Sequence, residues 1–369
     1  MTSLSAFAQM SDAQKAATEA AMLMTAAPKA APKVEKPQYW ATSLKTQINV
    51  GQTGLTNWAA GGDNTFSLAA FIDGNANWKK NDMFWNNRVQ LDYGFLYASS
   101  KPLLQKNTDR IYLESKWGYK TESMKNFYFS ANYDFKSQFS SGYDYKTPSS
   151  VTDAEGNELT GSALRDVWRD ARVLKSNLLA PAYTNLALGI DYKPAKWFAL
   201  NFAPVTGGFV IVKDAELRKS YSMELSQNTK ALQEKFASYD PDTASESDKK
   251  AYEAYQTSLT DGTAYRPAKF EFGAQLKMDA KVNINDNFAY STQVVLFANY
   301  LDIARCPRIN WDNRIDWKLA KYFSLTVTTN LIYDESIMIA DKNGENPKAR
   351  VQFKESLAFG FTYTIANKK

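Results

Sequence analysis

Hydrophobic and charged residues alternate along the segment 109–120 of this chain. If the segment is extended, successive side chains point to opposite faces, so one face is apolar and the other is charged. The apolar face carries Ile111, Leu113, Trp117 and Tyr119, and the charged face carries Arg110, Glu114, Lys116 and Lys120. About a dozen segments repeat the pattern, with aromatic residues concentrated at the ends of the apolar face. The pattern is typical of a transmembrane β-barrel, which has lipid outside and polar side chains inside.

The same alternation predicts twelve strands. They are expected at 40–50, 65–78, 83–98, 109–121, 126–139, 181–193, 196–205, 267–284, 287–301, 308–319, 322–334 and 349–366. Short links are expected at 79–82, 122–125, 194–195, 286 and 320–321, and long ones at 51–64, 99–108, 140–180, 206–266, 302–307 and 335–348. Bacterial barrels likewise alternate short periplasmic turns with long outer loops. We therefore predict an all-β fold, a transmembrane antiparallel up-and-down β-barrel of about 12 strands, with counts from 10 to 14 also compatible.

A soluble β-sandwich is the alternative interpretation, because its strands also alternate. Sandwich strands average about five or six residues. The segment 269–284 alternates over its whole length, with lysines and acids on one face and large apolar residues on the other. A strand of this length, with one charged and one apolar face throughout, does not fit a sandwich. We also expect an arginine at Leu113, on the lipid face, to destabilise the protein more than a glutamine at Lys116 on the lumen face.

The chain before the first strand has a different composition. Residues 1–8 end in Ala6-Phe7-Ala8, which resembles the cleavage site at the end of a signal peptide. Residues 9–39 are rich in alanine, proline and lysine, and we interpret them as a periplasmic tether. The predicted domains are thus a signal-peptide remnant at 1–8, the tether at 9–39 and the barrel at 40–369.

Composition is consistent with a barrel and argues against several other classes of protein. Mean hydropathy is −0.46. This value is compatible with a barrel, because the polar residues of an alternating strand offset the lipid-facing apolar residues in an average along the chain. The net charge of +5 arises from 44 basic and 39 acidic residues that are mixed along the strands. Because no basic block or nucleic-acid-binding motif is present, we expect no nucleic-acid partner. The expected location is the outer membrane, with its lipid as the main partner.

The sequence contains no histidine and one cysteine, Cys306. Without imidazole, the usual general bases, triads and metal sites are absent, so we predict no enzymatic activity, cofactor or metal. The acidic turns around Gly156 (Asp153, Glu155, Asn157, Glu158) and Gly344 (Asp341, Asn343, Glu345) lack full calcium-loop spacing. We interpret both as ordinary polar turns.

Charged residues on the predicted inner face are the main candidates for a functional site. The lumen-facing candidates are Lys45, Arg88, Asp92, Arg110, Glu114, Lys116, Asp134, Lys136, Arg308, Asp312, Arg314, Asp316, Arg350 and Lys354. Charges of both signs can neutralise each other and plug the lumen, or they can line a wet, weakly selective channel. We favour a narrow or plugged lumen, and the pattern leaves the solute and the oligomeric state open.

The excursion 206–266 has a helical rather than an extended pattern. It predicts two outer helices, the second beginning after an N-cap at Ser245 with Asp248 in its first turn. The candidate lid or partner-binding residues are Leu217, Tyr221, Leu225, Leu232, Phe236, Tyr252 and Tyr255. The simpler interpretation is that this apolar stripe packs on itself and on the barrel mouth.

Several stretches resemble an uncharacterised family of Bacteroidota outer-membrane β-barrel proteins, known as a domain of unknown function. They include Leu55-Thr-Asn-Trp58-Ala-Ala-Gly61-Gly62, Asp109-Arg110, Gly118-Tyr119-Lys120, Ser137-Gln138-Phe139, Gly142-Tyr143, Ala180-Pro181-Ala182-Tyr183, Phe297-Ala-Asn-Tyr300, Ile315-Asp-Trp317 and Leu331-Ile-Tyr333-Asp334. The resemblance covers nearly everything after Trp40, whereas the insertion after Gly208 departs from the family pattern. It implies an outer-membrane location and brings no activity.

Two functions fit these predictions. The first is a non-enzymatic barrel, with a narrow or plugged channel, that binds or passes a small solute. The alternative is a structural or accessory subunit that docks other outer-membrane proteins through its outer loops.

Overall fold

Twelve antiparallel strands close into a barrel in the computed structural model, which describes residues 38–55, 63–305, 307–335, 337–339, 346 and 348–367. The strands are β1 (Trp40–Thr53), β2 (Thr65–Lys80), β3 (Met83–Ala98), β4 (Lys101–Lys120), β5 (Phe127–Ser137), β6 (Ala182–Ala195), β7 (Phe198–Ile211), β8 (Ala268–Asn283), β9 (Phe288–Asn299), β10 (Arg308–Lys318), β11 (Phe323–Tyr333) and β12 (Gln352–Asn367). Each strand pairs with its neighbours in sequence, and β12 closes the barrel against β1, with Leu44 opposite Ile365. The predicted up-and-down barrel and its strand count are confirmed.

Each strand has one apolar and one polar face. On β1, the outward-facing Leu44 and Ile48 are 41% and 52% exposed, whereas the inward-facing Gln47 between them is 2% exposed. Large apolar side chains are therefore outside, and buried polar side chains are inside. This is the reverse of a soluble protein, in which apolar residues form the core.

A row of tryptophans crosses the outside of four consecutive strands near one end of the barrel. The register places Trp40 opposite Trp78, Trp78 opposite Trp85, and Trp85 opposite Trp117. The rings of Trp40 and Trp85 are 5.9 Å apart. Residues that are paired across an antiparallel ladder share a face, so the four side chains form one continuous belt. Tryptophan is enriched where a membrane meets water, because its ring is apolar and its N–H is polar.

The connections differ in length at the two ends of the barrel. At the short-turn end, the tightest links, Lys80 to Met83 and Ala195 to Phe198, leave two residues between strands. The predicted long link at 99–108 is wrong: only Ser99 and Ser100 separate β3 from β4. Residues 101–108 continue the ladder with β3 through two irregularities in register, which interrupt the simple alternation. Both described chain ends lie at the short-turn end, as Thr42 pairs with Asn367.

At the opposite, long-loop end, four of the described connections contain secondary structure of their own. The shortest of them, between β9 and β10, contains a 3-10 helix, Ile303–Arg305. The other three are longer excursions, of which the first has a two-stranded ribbon, Gly142–Tyr145 with Arg172–Ser176, and helix α1 (Gly161–Asp170). The second contains α2 (Ala215–Arg218), α3 (Gln227–Lys235) and α4 (Glu246–Asp261). The third includes a small ribbon of Met338–Ile339 with Lys348–Ala349.

The second excursion differs from the predicted pair of helices. Its first half is divided into α2 and α3, which are separated by a turn and by a bridge between Leu225 and Tyr265. The predicted N-cap at Ser245 is present, since its hydroxyl accepts from the Asp248 backbone N–H at 3.2 Å. Ser226 caps α3 in the same way through Thr229.

Several sequence predictions fall outside the described residues. These are the signal remnant at 1–8, nearly all of the tether at 9–39, Cys306, and the acidic turn around Gly344. Among the described residues, no helix has both the length and the apolar character needed to cross a membrane.

Candidate functional site: the charged lumen

The inner face of the barrel brings together polar side chains from every part of the chain. Every second side chain of a strand points into the barrel, and the barrel wall separates these side chains from the apolar outer face. The buried polar residues include Gln47, Asn132, Asp191 and Lys277, which are between 0% and 4% exposed. Charges in such surroundings need partners, because transfer from water to a poorly solvated interior is costly.

At the short-turn end, Asp191 is the centre of a cluster. Its Oδ1 atom lies 2.8 Å from Lys116 Nζ and accepts from Asn201 Nδ2 at 2.6 Å and from Ser130 Oγ at 3.2 Å. Its other oxygen lies 3.4 Å from Lys193 Nζ, which is 3.5 Å from the centre of a phenylalanine ring. The fully buried carboxylate therefore holds β4, β6 and β7 together from within.

A second cluster lies around Asp316 on β10. Arg314 donates to both carboxylate oxygens at 2.9–3.1 Å, and Lys45 Nζ donates at 3.1 Å. Arg314 also donates to Gln47 on β1 at 2.8 Å. Because β11 and β12 lie between β10 and β1, these bonds bridge two strands across the inner surface. Asp316 is therefore held by two cations on the inner face.

One ion pair crosses the lumen. Lys277 Nζ on β8 donates to Glu114 Oε1 on β4 at 2.6 Å. Strands β5, β6 and β7 separate β4 from β8 around the barrel, so the side chains meet in the interior rather than along the wall. From the other side, the Arg314 guanidinium lies 4.7 Å from the Phe71 ring centre, and again three strands separate β10 from β2. Both contacts narrow the lumen.

The mouth at the long-loop end has its own charge pairs. Arg308 donates to both oxygens of Glu271, at 3.3 and 2.7 Å, and lies 3.7 Å from Asp334. Arg350 was predicted to face the lumen, but β12 begins after it, at Gln352. Its Nε atom instead donates to the Ile339 carbonyl in the third excursion at 3.1 Å. Arg350 thus stabilises an outer loop.

The remaining lumen candidates occupy the middle of the barrel. Arg88 donates to Asp73 at 2.7 Å, and Asp134 accepts from Asn185 at 3.0 Å. Asp312 accepts from the side-chain amides of Asn310 and Asn330. Arg110 donates to Gln90, and Asp92 is directly opposite Arg110 in the register. Lys136 lies opposite Tyr112, and Lys354 lies opposite Asn330.

Four important inward residues were not among the sequence candidates. They are Asp73, Asp191, Glu271 and Lys277. All four follow from the same alternation that identified the others. Asp191 lies among small inward residues such as Ala187 and Gly189, so no local cluster of charge marks it. Its partners come from other strands and are not visible in its own segment.

The excursion candidates divide into two groups. Leu217 and Tyr221 pack with Ala180, Val210 and Met223 in an apolar cluster at the barrel mouth. The Tyr221 hydroxyl donates to the Lys175 carbonyl at 2.9 Å, and burial raises the pKa of this hydroxyl. This part of the excursion is therefore attached to the mouth.

The second group packs within the excursion itself. Phe236 contacts Tyr252 and Tyr255 at ring distances of 5.3 and 5.7 Å, and Tyr239 stacks on Tyr252 at 4.0 Å. Leu225 forms a backbone bridge with Tyr265, and Leu232 accepts the Phe236 backbone N–H through its carbonyl. Most of the predicted apolar stripe is thus covered by its own helices.

The acidic turn at Asp153 is an ordinary turn. Its carboxylate accepts from the backbone N–H groups of Glu155 and Asn157 at 3.0 and 2.8 Å. These bonds, with the Asn157 bond the largest cause, lower the pKa of Asp153. Within the described ranges, no group of three or more acidic, histidine or cysteine side chains is arranged to hold a metal ion.

Comparison with known proteins identifies a domain but no activity. Residues 50–143 match the sequence profile of a family described as "Protein of unknown function (DUF3078)", in agreement with the resemblance to an uncharacterised domain. No curated protein matches the chain.

Among solved structures, similar chains are outer-membrane barrels of several kinds. An outer membrane channel from Pseudomonas putida F1 is 9% identical, with a TM-score of 0.34 over 92% of this chain and 100% of that one. The translocator domain of the autotransporter NalP from Neisseria meningitidis is 10% identical, with a TM-score of 0.30 over 95% and 97%. Outer membrane phospholipase A from Escherichia coli is 9% identical, with a TM-score of 0.30 over 91% and 94%. At such low similarity, none of them bears on the activity of this chain.

Proposed function

We propose that this chain is a non-enzymatic outer-membrane barrel whose narrow lumen binds or passes a small polar solute. The outer-membrane location is supported by the apolar outer face and by the in-register tryptophan row at its short-turn end. A closed barrel is one of the two backbone arrangements that satisfy all hydrogen bonds within lipid. From the sequence motifs, we further propose that the chain belongs to the Bacteroidota family that it resembles.

The observation that carries the proposal is the Glu114–Lys277 pair across the interior. A wide, water-filled pore would leave side chains from β4 and β8 on separate walls, each solvated by water. Here their charged atoms are 2.6 Å apart, and Lys277 is 4% exposed. The pair therefore supports a lumen that admits at most a small solute.

The absence of catalytic activity is supported by the chemistry of the inner face. The sequence contains no histidine. The carboxylates closest to a catalytic pair, Asp312 and Asp316, are each held by other side chains: Asp316 by Arg314 and Lys45, and Asp312 by two asparagine amides. A carboxylate fixed in this way is poorly suited to proton transfer, which requires access to the substrate.

The alternative role, docking of partner proteins by the second excursion, has weaker support. Its aromatic side chains contact one another rather than forming an open apolar surface. Stable protein interfaces generally have a buried apolar centre that is available to a partner.

Cell fractionation and solute flux test the proposal. We expect the protein in the outer-membrane fraction and, after reconstitution into liposomes, slow entry of small solutes and exclusion of oligosaccharides in a swelling assay. Recovery of the chain from the periplasm without detergent would contradict the membrane location. Rapid entry of oligosaccharides would contradict the narrow lumen.

A further inference from the structure

Most of the cations that face the lumen contact a carboxylate. The separations are 3.1 Å for Lys45–Asp316, 2.7 Å for Arg88–Asp73, 2.8 Å for Lys116–Asp191, 2.6 Å for Lys277–Glu114 and 2.9 Å for Arg314–Asp316. Pairing is thus the rule by which this barrel accommodates interior charge, in keeping with the high cost of an isolated buried ion.

Arg110 and Lys136 depart from this rule, as does Lys354, an exposed side chain opposite Asn330 on β12. Among the described residues, the ion pairs of the lumen include neither Arg110 nor Lys136. The Arg110 Nε atom is buried and has no hydrogen-bond partner. Lys136 lies on the inner face of β5 and is partly exposed, so it borders a space inside the lumen.

The two cations are neighbours. Lys136 lies opposite Tyr112, and Arg110 is two residues from Tyr112 on the same inward face of β4. The two cationic side chains therefore project from adjacent strands into the same part of the lumen. The nearby Asp312 carboxylate is already bound by Asn310 and Asn330, and Asp92, although opposite Arg110 in the register, makes no ion pair with it.

We propose that Arg110 and Lys136 form a binding site for a small oxyanion inside the lumen. This inference rests on the proposed function and specifies its solute as one that carries a carboxylate or phosphate group. A guanidinium presents parallel N–H donors that match two oxygens of such a group, and an ammonium adds a charge-assisted bond. Arg110 donates to the neutral Gln90. A bound oxyanion would supply both cations with the anionic partner that they lack, and Asp92 would compete with it for Arg110.

Isothermal titration calorimetry on the purified full chain in detergent tests the site. Succinate and inorganic phosphate are the two probes, titrated separately at constant chloride concentration. We expect at least one of them to bind, and the tighter of the two identifies the solute as a carboxylate or a phosphate. Arg110→Gln and Lys136→Gln should each raise its Kd about tenfold or more, because each removes a charge-assisted hydrogen bond.

Two matched variants separate this effect from general electrostatics. Asp92→Asn should tighten binding, because it removes the competing carboxylate. Lys281→Gln, which removes an exposed lysine from the inward-facing side of β8, should leave Kd unchanged. Lys136→Gln should unfold no earlier than the wild type without anion, since it removes an unpaired cation rather than a structural ion pair.

The proposal is overturned if neither probe binds, if only one of the two glutamine variants loses binding, or if Lys281→Gln loses as much. Calorimetry requires no membrane and no conductance. Its result is therefore independent of whether the outer-membrane and narrow-lumen proposals hold.

Discussion

The Lys277 ammonium shows what an interior charge needs in this barrel. It is 4% exposed, and its ion-pair partner, Glu114, is 163 residues away in the sequence. Neither charge would be tolerable alone, because desolvation costs several kcal/mol per ion in a protein interior. The pair therefore fixes the distance between β4 and β8 as well as neutralising both side chains.

The first prediction concerns this pair. Glu114→Gln should lower the free energy of unfolding by about 3–5 kcal/mol, because it leaves Lys277 buried and unpaired. The double variant Glu114→Leu/Lys277→Met should recover most of that loss, because it removes both charges and keeps similar volume. Urea unfolding in lipid vesicles, followed by tryptophan fluorescence, measures both. Equal destabilisation by the single and double variants would contradict the ion-pair account.

The second prediction concerns the opposite face of β4. Leu113 points outward at mid-strand, so Leu113→Arg should cost about 2–4 kcal/mol at the centre of the bilayer. Leu104→Arg is the matched control, because it introduces the same charge near the long-loop end of the same strand. Its cost should be about 0–1 kcal/mol, since charge is tolerated near the interface. The same unfolding assay applies, and equal costs would mean that Leu113 does not face lipid.

The structure changes the expectation for Lys116. Alternation alone marks Lys116→Gln as a mild substitution on the lumen face. In the fold, however, Lys116 is 2.8 Å from the fully buried Asp191. Without the Lys116 ammonium, Asp191 would keep only Lys193 as a cationic partner. We therefore expect Lys116→Gln to be destabilising, and Lys281→Gln to be the mild change. The sequence indicates which face of a strand a residue lies on, but it does not indicate the residue's ion-pair partner.

At the level of elements, the sequence located all twelve strands because each carries its own alternation. It misplaced the start of β4, since the register irregularities near Phe95 and Leu96 disrupt the period that identifies a strand. It also ended β7 at residue 205, whereas the strand continues to Ile211 and the second excursion begins after it. The helices of the second excursion were indicated by their spacing and by the Ser245 cap. The sequence did not indicate the break between α2 and α3, because this break is determined by the packing of Leu217 and Met223 on the barrel mouth. Ion pairs between distant strands could not be predicted from the sequence either, because they too depend on contacts between segments that are far apart in the chain.

The third prediction concerns the outer part of the second excursion. The Ser226 backbone N–H donates to the Ala264 carbonyl at 2.9 Å. The segment that leads into α3 is therefore hydrogen-bonded directly to the segment that follows α4. Replacing residues 227–262 with a short Gly/Ser turn should therefore leave a folded, heat-modifiable barrel, because closing a short loop costs little. A gel-shift assay on heated and unheated samples measures this.

A longer deletion, of residues 214–262, is the matched comparison. It should be less stable, because it also removes Leu217 and Met223 from the apolar cluster at the mouth. Failure of the shorter deletion to assemble would contradict the division of the excursion into an attached base and an independent helix pair. Loss of copurifying proteins with unchanged conductance would favour docking, whereas a rise in conductance would indicate a lid.

For the whole molecule, the outer face determines where the barrel can reside, and the inner face determines what can pass through it. The outer face is apolar on every strand, so location depends on the sum of many residues. The interior depends on a few side chains, because Glu114, Lys277 and Arg314 bridge strands that are far apart around the barrel. Permeability should therefore respond strongly to changes at these few positions.

Single-channel conductance in a planar bilayer distinguishes a narrow lumen from an open pore. The wild type should conduct weakly or not at all, because the Glu114–Lys277 pair crosses the lumen. Glu114→Ala/Lys277→Ala should conduct more, since it removes both side chains without leaving an unpaired charge. A large ohmic conductance in the wild type, unchanged in the double variant, would show an open water-filled pore and contradict the account.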